Sequence, residues 1–193
     1  SVITPGNDKA ILKLANGEEI VLSDNKTMNI KLDNGSQIQN SDNALVYTRD
    51  SETNTYSKPE YNELIVPIGG KYKIQLSDGS LVQLNAGSSL RFPVSFTDSV
   101  RQVYLVGEAY FDVTHTGKAF IVGNENMDIR VLGTRFNVRA YKDDEIVRAT
   151  LVEGKVAISN NIDSTSDLAF LSPSDQFQYN KNTSKSKVSQ VDT

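Results

Sequence analysis

Two carboxylates on one predicted strand, Glu108 and Asp112, are the first residues to consider for chemistry, because a pair of acids can hydrolyse a glycosidic bond. Between residues 101 and 113 the apolar residues alternate with polar ones, as in a β-strand with one buried face. In such a strand the two acids share a face but stand ~13 Å apart. Glycosidases need about 5.5 Å or about 6.5–9.5 Å. The spacing excludes this pair unless another strand supplies an acid, and it favours an ion-paired Glu108.

Nucleophilic and metal chemistry have little support. The chain has one histidine, His115, and no cysteine, so it cannot build a zinc site of ordinary ligand type. A Ser-His-Asp triad would have to use His115, yet no Gly-x-Ser-x-Gly elbow is present. The surrounding Thr114-His-Thr-Gly-Lys118 has the composition of a turn, which predicts a solvated His115. We therefore expect no catalytic residue.

Two short polar motifs are also better explained as turns. The acidic run Asp143-Asp-Glu145 neither alternates its oxygen ligands nor has a glycine at the bend, as calcium loops usually do. Gly69-Gly-Lys71 lacks the first glycine of a phosphate loop, and Tyr72 stands where a hydroxyl would bind magnesium. No metal and no cofactor is therefore predicted.

Tyrosines offer a second class of function. Tyr47, Tyr56 and Tyr61 flank a polar loop, where exposed rings could stack on sugars. Tyrosine is also a good strand former, so the same residues are consistent with ordinary sheet packing. A carbohydrate-binding β module therefore remains the alternative hypothesis.

Composition narrows the class of protein. The chain has 193 residues, long enough for one substantial core, and a net charge of −4 that argues against nucleic acid as a partner. No segment is apolar for the length of a membrane span, and the first residues lack the pattern of a signal peptide. Without cysteine, disulfides are excluded, and the compartment is not decided.

The sequence predicts an all-β fold of short antiparallel hairpins and meanders, either sandwich-like or resembling an irregular β-solenoid. Asx-Gly hairpin turns recur in Leu14-Ala-Asn-Gly17, Leu32-Asp-Asn-Gly35 and Leu76-Ser-Asp-Gly79. Only residues 143–152 resemble a helix, but their alternating pattern favours a strand. The apolar parity changes between Val131 and Phe136, which requires a bulge or turn near Gly133. The predicted strands span residues 63–67, 71–77, 81–85, 101–113, 119–122, 127–141, 146–159, 168–171 and 176–179.

Four regions are predicted along the chain. Residues 1–47 form an N-terminal β-hairpin region, and residues 48–61 form a polar loop in which 48–60 contain no aliphatic side chain. Residues 62–179 form the main β domain. Residues 180–193 have the polar, repetitive composition of a linker.

The ordered series of glycine-bearing strands over about residues 62–160 resembles the FecR family, the membrane-tethered anti-sigma regulators of Gram-negative cell-surface signalling. The turn and bulge glycines of this series are Gly79, Gly107, Gly133 and Gly154, which are interpreted as architecture and not as a site. The series itself reads Asn62-Glu-Leu-Ile-Val-Pro-Ile-Gly-Gly-Lys-Tyr72, Ile74-Gln-Leu-Ser-Asp-Gly-Ser-Leu-Val-Gln-Leu-Asn-Ala-Gly-Ser-Ser-Leu-Arg-Phe-Pro93, Arg101-Gln-Val-Tyr-Leu-Val-Gly-Glu-Ala-Tyr-Phe-Asp-Val113, Phe120-Ile-Val122, Ile129-Arg-Val-Leu-Gly-Thr-Arg-Phe-Asn-Val-Arg-Ala-Tyr141 and Thr150-Leu-Val-Glu-Gly-Lys-Val156.

The resemblance implies a role without catalysis. Such proteins have a cytoplasmic region that holds an extracytoplasmic-function sigma factor, one membrane helix and a periplasmic β-rich sensor. An outer-membrane TonB-dependent transducer signals to that sensor. The resemblance implies that this chain is the periplasmic sensor of a single-pass inner-membrane protein, with the sigma-binding region, the membrane helix and a C-terminal module outside it. It implies no catalytic, metal-binding or cofactor-binding residue.

Overall fold

In a computed structural model of the protein, the structure describes residues 10–22, 28–31, 36–41, 44–49, 60–160 and 167–192. These residues form eighteen β-strands and no helix, so the all-β prediction is confirmed. Accordingly, no helix capable of spanning a membrane occurs within these ranges.

The strands form two sheets that share one long strand, β10 (Arg101–Asp112). The first sheet, called sheet A, has the order β2-β1-β6-β9-β10-β11-β12-β15-β16. The second, called sheet B, has the order β3-β4-β5-β7-β8-β10-β13-β14-β17-β18.

Apart from β10, the strands of sheet A are β1 (Ala10–Lys13), β2 (Glu19–Leu22), β6 (Tyr61–Val66), β9 (Ser88–Pro93), β11 (Phe120–Gly123), β12 (Met127–Val131), β15 (Val156–Asn160) and β16 (Asp167–Leu171). Those of sheet B are β3 (Met28–Lys31), β4 (Ser36–Ser41), β5 (Ala44–Arg49), β7 (Tyr72–Gln75), β8 (Leu81–Leu84), β13 (Arg135–Ala140), β14 (Ile146–Glu153), β17 (Asp175–Asn180) and β18 (Lys185–Gln190).

Strand β10 passes from one sheet to the other at Gly107. Its alternating pattern is confirmed, because the odd-numbered residues from 103 to 113 all face the interior. Residues before Gly107 pair in sheet A and residues from Gly107 onward pair in sheet B. Gly107 has φ +98°, and a Cβ on it would lie 2.3 Å from Ser88 Oγ, so no other residue fits without strain.

The two sheets enclose one core, and aromatic contacts cross between them. Tyr47 of β5 packs edge-on against Phe92 of β9, with ring centroids 5.2 Å apart. Phe111 in the sheet B half of β10 lies 6.3 Å from Phe120 of β11 in sheet A. These contacts join the inner faces of both sheets around a single hydrophobic core.

The predicted turn near Gly133 is confirmed and has a topological cause. Strand β12 ends at Val131 in sheet A and β13 begins at Arg135 in sheet B. The parity of buried residues changes because the chain moves to the other sheet. Gly133 is also closely packed, since a Cβ on it would lie 2.7 Å from His115 Cβ.

The hairpin turns at Gly17 and Gly79 are confirmed and share one geometry. In each, the glycine amide donates to the carbonyl three residues earlier, and an Asx side chain accepts from an amide two residues later. The third predicted turn, Leu32–Gly35, lies outside the described residues. Residues 143–152 fall mainly in β14, so the strand interpretation is correct.

Several elements differ from the sequence-based expectation. Two ladders, β10–β11 and β5–β7, are parallel in an otherwise antiparallel arrangement. Strand β9 was not predicted, and the predicted strands 127–141 and 146–159 each divide in two at a change of sheet. The tail from Asn180 contains β18, so residues 185–190 are not the linker that their composition suggested. The boundaries of the four predicted regions stay a prediction.

Candidate interaction surfaces

The polar residues of β10 and β13 meet on the outer face of sheet B. Cross-strand pairing sets Glu108 opposite Arg139, Tyr110 opposite Asn137 and Asp112 opposite Arg135. Because the alternate residues of both strands fill the core, these polar side chains are all directed outward. The pairing therefore brings the candidate acids of the sequence together with two arginines.

Glu108 is held in an ion-paired network, as predicted. It accepts hydrogen bonds from Asn137 Nδ2 at 3.0 Å and from Arg139 at 3.1 Å, and Arg139 also donates to Asp144 at 2.8 Å. Partial burial lowers the Arg139 pKa, but hydrogen bonds and charges from Asp144 and Glu108 outweigh it, so this pKa is raised overall. The carboxylate of Glu108 stabilises a cation and is not arranged as a general acid.

A shallow groove lies at the edge of this face. It has a volume of ≈ 290 Å³ and is lined by residues that include Asp112, His115, Arg135 and Glu153. Arg135 forms an ion pair with Glu153, and the hydrogen bond from that pair raises the Arg135 pKa. His115 is exposed in its turn, as predicted. The lining also includes Val113 and Thr134, and the Thr134 hydroxyl donates to the Lys155 carbonyl at 3.1 Å.

Two rows of side chains run across sheet B from strand to strand. In the first, called the polar row, each of six neighbouring strands contributes one half-buried side chain with a hydrogen-bonding group. Its members are Gln83, Tyr110, Asn137, Thr150, Gln176 and Ser189. The second, the charged row, lies beside it on five of these strands and consists of Glu108, Arg139, Arg148, Gln178 and Lys187.

The outer face of sheet A has a different character. One cross-strand row there is almost entirely aliphatic and includes the exposed Val21 and Val106. This aliphatic row consists of Val21, Ile11, Ile65, Ser89 and Val106. The neighbouring row of the same sheet is charged and consists of Glu19, Lys13, Glu63 and Arg91, so sheet A combines an aliphatic row with a charged one.

The two sheets also differ at their C-terminal edges. Strands β16 and β18 each pair with one neighbour, and no other described strand pairs with their second side. Strand β18 carries the exposed Lys185 and Lys187, the usual protection of an edge against pairing. Strand β16 has no lysine and presents Phe170, which is 73% exposed. Within the described part of the chain, β16 is thus the one of these two edge strands that lacks lysine protection.

The central strands of both sheets match a known protein family. The FecR protein family matches residues 62–157, which contain β6 from its second residue, all of β7 through β14 and the start of β15. The chain belongs to the FecR family. None of the curated proteins compared with it matches.

The FecR chain is also similar to two crystal structures of a candidate anti-sigma factor from Parabacteroides distasonis. One, at 1.65 Å resolution, is 36% identical with a TM-score of 0.64 over 67% of this chain and 60% of that one. The other, at 2.50 Å, is 35% identical with a TM-score of 0.65 over 68% and 61% of the two chains. The match thus spans about three fifths of each of those chains.

A buried arginine in the FecR match was missed by sequence reasoning. Arg101 occupies the first core-facing position of β10, and its side chain and that of Asp78 are only 2% and 7% exposed. The guanidinium donates to Asp78 at 2.6 Å and to the carbonyls of Thr114, Lys118 and Leu132. A charge at a core-facing position of an apolar strand was the available signal.

Of the three tyrosines considered for stacking on sugars, Tyr47 is buried in this FecR domain. The expected exposure of Tyr47 is wrong, because it is 4% exposed and its hydroxyl accepts from Asn62 Nδ2 at 2.9 Å. Burial raises the Tyr47 pKa, with a smaller opposing effect from the Asn62 hydrogen bond. Tyr61 is half-buried, with Arg91 4.5 Å above its ring. Tyr56 lies outside the described residues.

The remaining motifs are turns. Residues Gly69 and Gly70 connect β6 to β7, and Asp143 lies in the turn between β13 and β14. Within the described ranges no group of three His, Cys, Asp or Glu side chains could hold a metal ion.

Proposed function

We propose that this chain is the periplasmic sensor part of an anti-sigma factor. The parent protein is anchored in the inner membrane by a single helix. The chain relays a signal from an outer-membrane TonB-dependent transducer to an extracytoplasmic-function sigma factor held by the cytoplasmic region. The observation that carries the proposal is the FecR match over residues 62–157. The resemblance to a candidate anti-sigma factor supports it.

The chemistry of the surfaces is compatible with a relay. Glu108, Asp144 and Glu153 on this side of sheet B are engaged by arginines, whereas recognition of a protein needs only surface complementarity. A free strand edge can receive an extended segment through backbone hydrogen bonds, with alternate side chains supplying specificity. We place the docking of the transducer at the β16 edge, because Leu168 and Phe170 there are exposed and apolar.

Co-purification tests the proposal. This chain and a longer form that extends to the end of the periplasmic region would each be mixed with the periplasmic domain of the receptor encoded nearby. We expect both forms to retain that domain. Phe170→Lys should abolish capture because it places a charge at the docking edge. Val188→Lys, which changes an exposed valine on β18, is the matched control and should not affect capture.

Each alternative result has a defined meaning. Capture by the longer form alone would place docking outside this chain and contradict the role assigned to β16. Capture by neither form would contradict the relay itself. The gene should also lie beside genes for a small sigma factor and a TonB-dependent receptor, and a neighbourhood that lacks both would count against the proposed function.

A further inference from the structure

The polar row and the charged row of sheet B together have the features of a ligand-binding face. The polar row spans six adjacent strands, or ~24 Å at the usual strand spacing. It contains amides, hydroxyls and one tyrosine, all half-buried, and no lysine or glutamate, the residues common on a solvated sheet face. Amides and hydroxyls that lie in a row with an aromatic ring are suited to a ligand with many hydroxyl groups.

Two hydrogen bonds on the outer face of sheet B orient side chains of the polar row. Gln178 Nε2 donates to Gln176 Oε1 at 2.6 Å, and Gln176 Nε2 donates to Thr150 Oγ1 at 2.9 Å. These two hydrogen bonds fix the orientation of the Gln176 and Gln178 amides on β17 relative to Thr150 on β14. Fixed amides lose little conformational entropy when a ligand binds.

Among the described residues, the charged row contains an arginine that has no ion-pair partner. Arg139 is neutralised by Glu108 and Asp144, but Arg148 lies directly opposite Arg139 and forms no ion pair within the described residues. The next cross-strand neighbours of Arg148 are Gln178 and then Lys187, so this end of the row is positive. Glu108 and Asp144 compensate Arg139 and do not pair with Arg148, so an anion bound at Arg148 would supply the partner that this guanidinium lacks among the described residues.

We propose that the outer face of sheet B binds an oligosaccharide that contains a uronic acid. The polar row receives the ring hydroxyls, and the planar fork of Arg148 receives the carboxylate. Strands follow one another at ~4.8 Å, comparable to the length of one sugar ring, so successive rings can meet successive strands. The proposed sugar platform therefore lies on the six strands of the polar row, from β8 to β18, and not on Tyr47 or Tyr61. This inference does not depend on the proposed signalling function.

Calorimetric titration of the whole chain with tetragalacturonic acid tests the inference. We expect saturable binding that Arg148→Gln weakens at least tenfold. Gln176→Ala should also weaken binding, because it removes the central amide of the polar row. Arg91→Gln is the matched control, since it changes the net charge equally but lies on the outer face of sheet A. It should leave the affinity unchanged. Circular dichroism verifies that all three variants are folded.

A ligand comparison separates specific recognition from general attraction to anions. The same tetrasaccharide with its carboxyl groups reduced to alcohols should bind the native protein at least tenfold more weakly, and Arg148→Gln should not weaken it further. Absence of saturable binding to the acidic sugar would overturn the inference. Equal weakening by Arg91→Gln and Arg148→Gln, or equally tight binding of tetraglutamate, would also overturn it.

Discussion

Replacing Arg101 by methionine tests whether the buried ion pair stabilises the fold. Methionine retains much of the side-chain length but removes the guanidinium, which donates to Asp78 and to carbonyls at three other places in the chain. The carboxylate of Asp78 would stay buried with only the amide and hydroxyl of Ser80 as donors. The side chain of Asp78 is 7% exposed, so water cannot replace the lost partner.

The expected loss in the free energy of unfolding is about 3–5 kcal/mol, the usual cost of removing one member of a buried ion pair. The total free energy of unfolding of a natural domain is about 5–15 kcal/mol. The expected loss is therefore about a third or more of the total for most values in that range. Arg91→Met is the matched control. Its guanidinium contacts the Tyr61 ring on the surface, and an exposed contact of that kind contributes about 0.5–1 kcal/mol.

Urea unfolding followed by far-ultraviolet circular dichroism measures both changes. We expect the midpoint to fall for Arg101→Met while the slope of free energy against urea stays constant. A double-mutant cycle with Asp78→Asn isolates the pair, and the double variant should be less destabilised than the sum of the single variants by up to about 3 kcal/mol. If Arg101→Met costs no more than Arg91→Met, or if the two single changes simply add, the stabilising role of the pair is refuted.

Three further predictions use the same unfolding measurement. Gly107→Ala should cost more than ~2 kcal/mol from positive φ and from collision with Ser88, whereas Gly17→Ala, with a similar φ and open space around it, should cost only ~1 kcal/mol. Because burial raises the Tyr47 pKa above 10.0, the unfolded state loses this proton first, and stability should fall by up to ~1.4 kcal/mol per unit as pH rises above ~10. Tyr47→Phe should reduce that slope, and an unchanged slope would contradict the assignment. Glu108→Gln should cost less than ~1 kcal/mol in dilute buffer and almost nothing in 1 M salt, because its pairing with Arg139 is partly exposed and screened.

Local patterns predicted much of the fold because they are set by neighbouring residues. The alternation along β10 identified its buried face, and the Asx-Gly pairs identified two hairpins, since both features depend on backbone geometry over a few residues. The change of parity near Gly133 even located a turn. Pairing between distant strands is different, because many partners satisfy the same alternation. The two parallel ladders and the passage of β10 between sheets were therefore not predictable from the pattern.

Composition was misleading where stability comes from a neighbour. Residues 185–190 are rich in lysine and serine, which is typical of a linker, yet they form β18 by pairing with β17 on one side. Edge strands tolerate such residues because one side of the strand faces water. The exposure of Tyr47 was predicted wrongly for a similar reason, since its partner Phe92 lies 45 positions away in a strand of the other sheet.

The unusual sequence of β10 is explained by three tasks that one strand performs. Its first residue, Arg101, donates hydrogen bonds to Asp78 and to three backbone carbonyls in loops that are distant along the chain. A long side chain with several donors is needed to reach four acceptors from a core position. Its middle residue, Gly107, bends the strand from sheet A into sheet B, which requires a positive φ. Its last residues present Glu108, Tyr110 and Asp112 on the polar face. The acids that first suggested catalysis thus lie on the outward face of a strand whose inward face packs in the core shared by the two sheets, and Glu108 among them is held by Asn137 and Arg139.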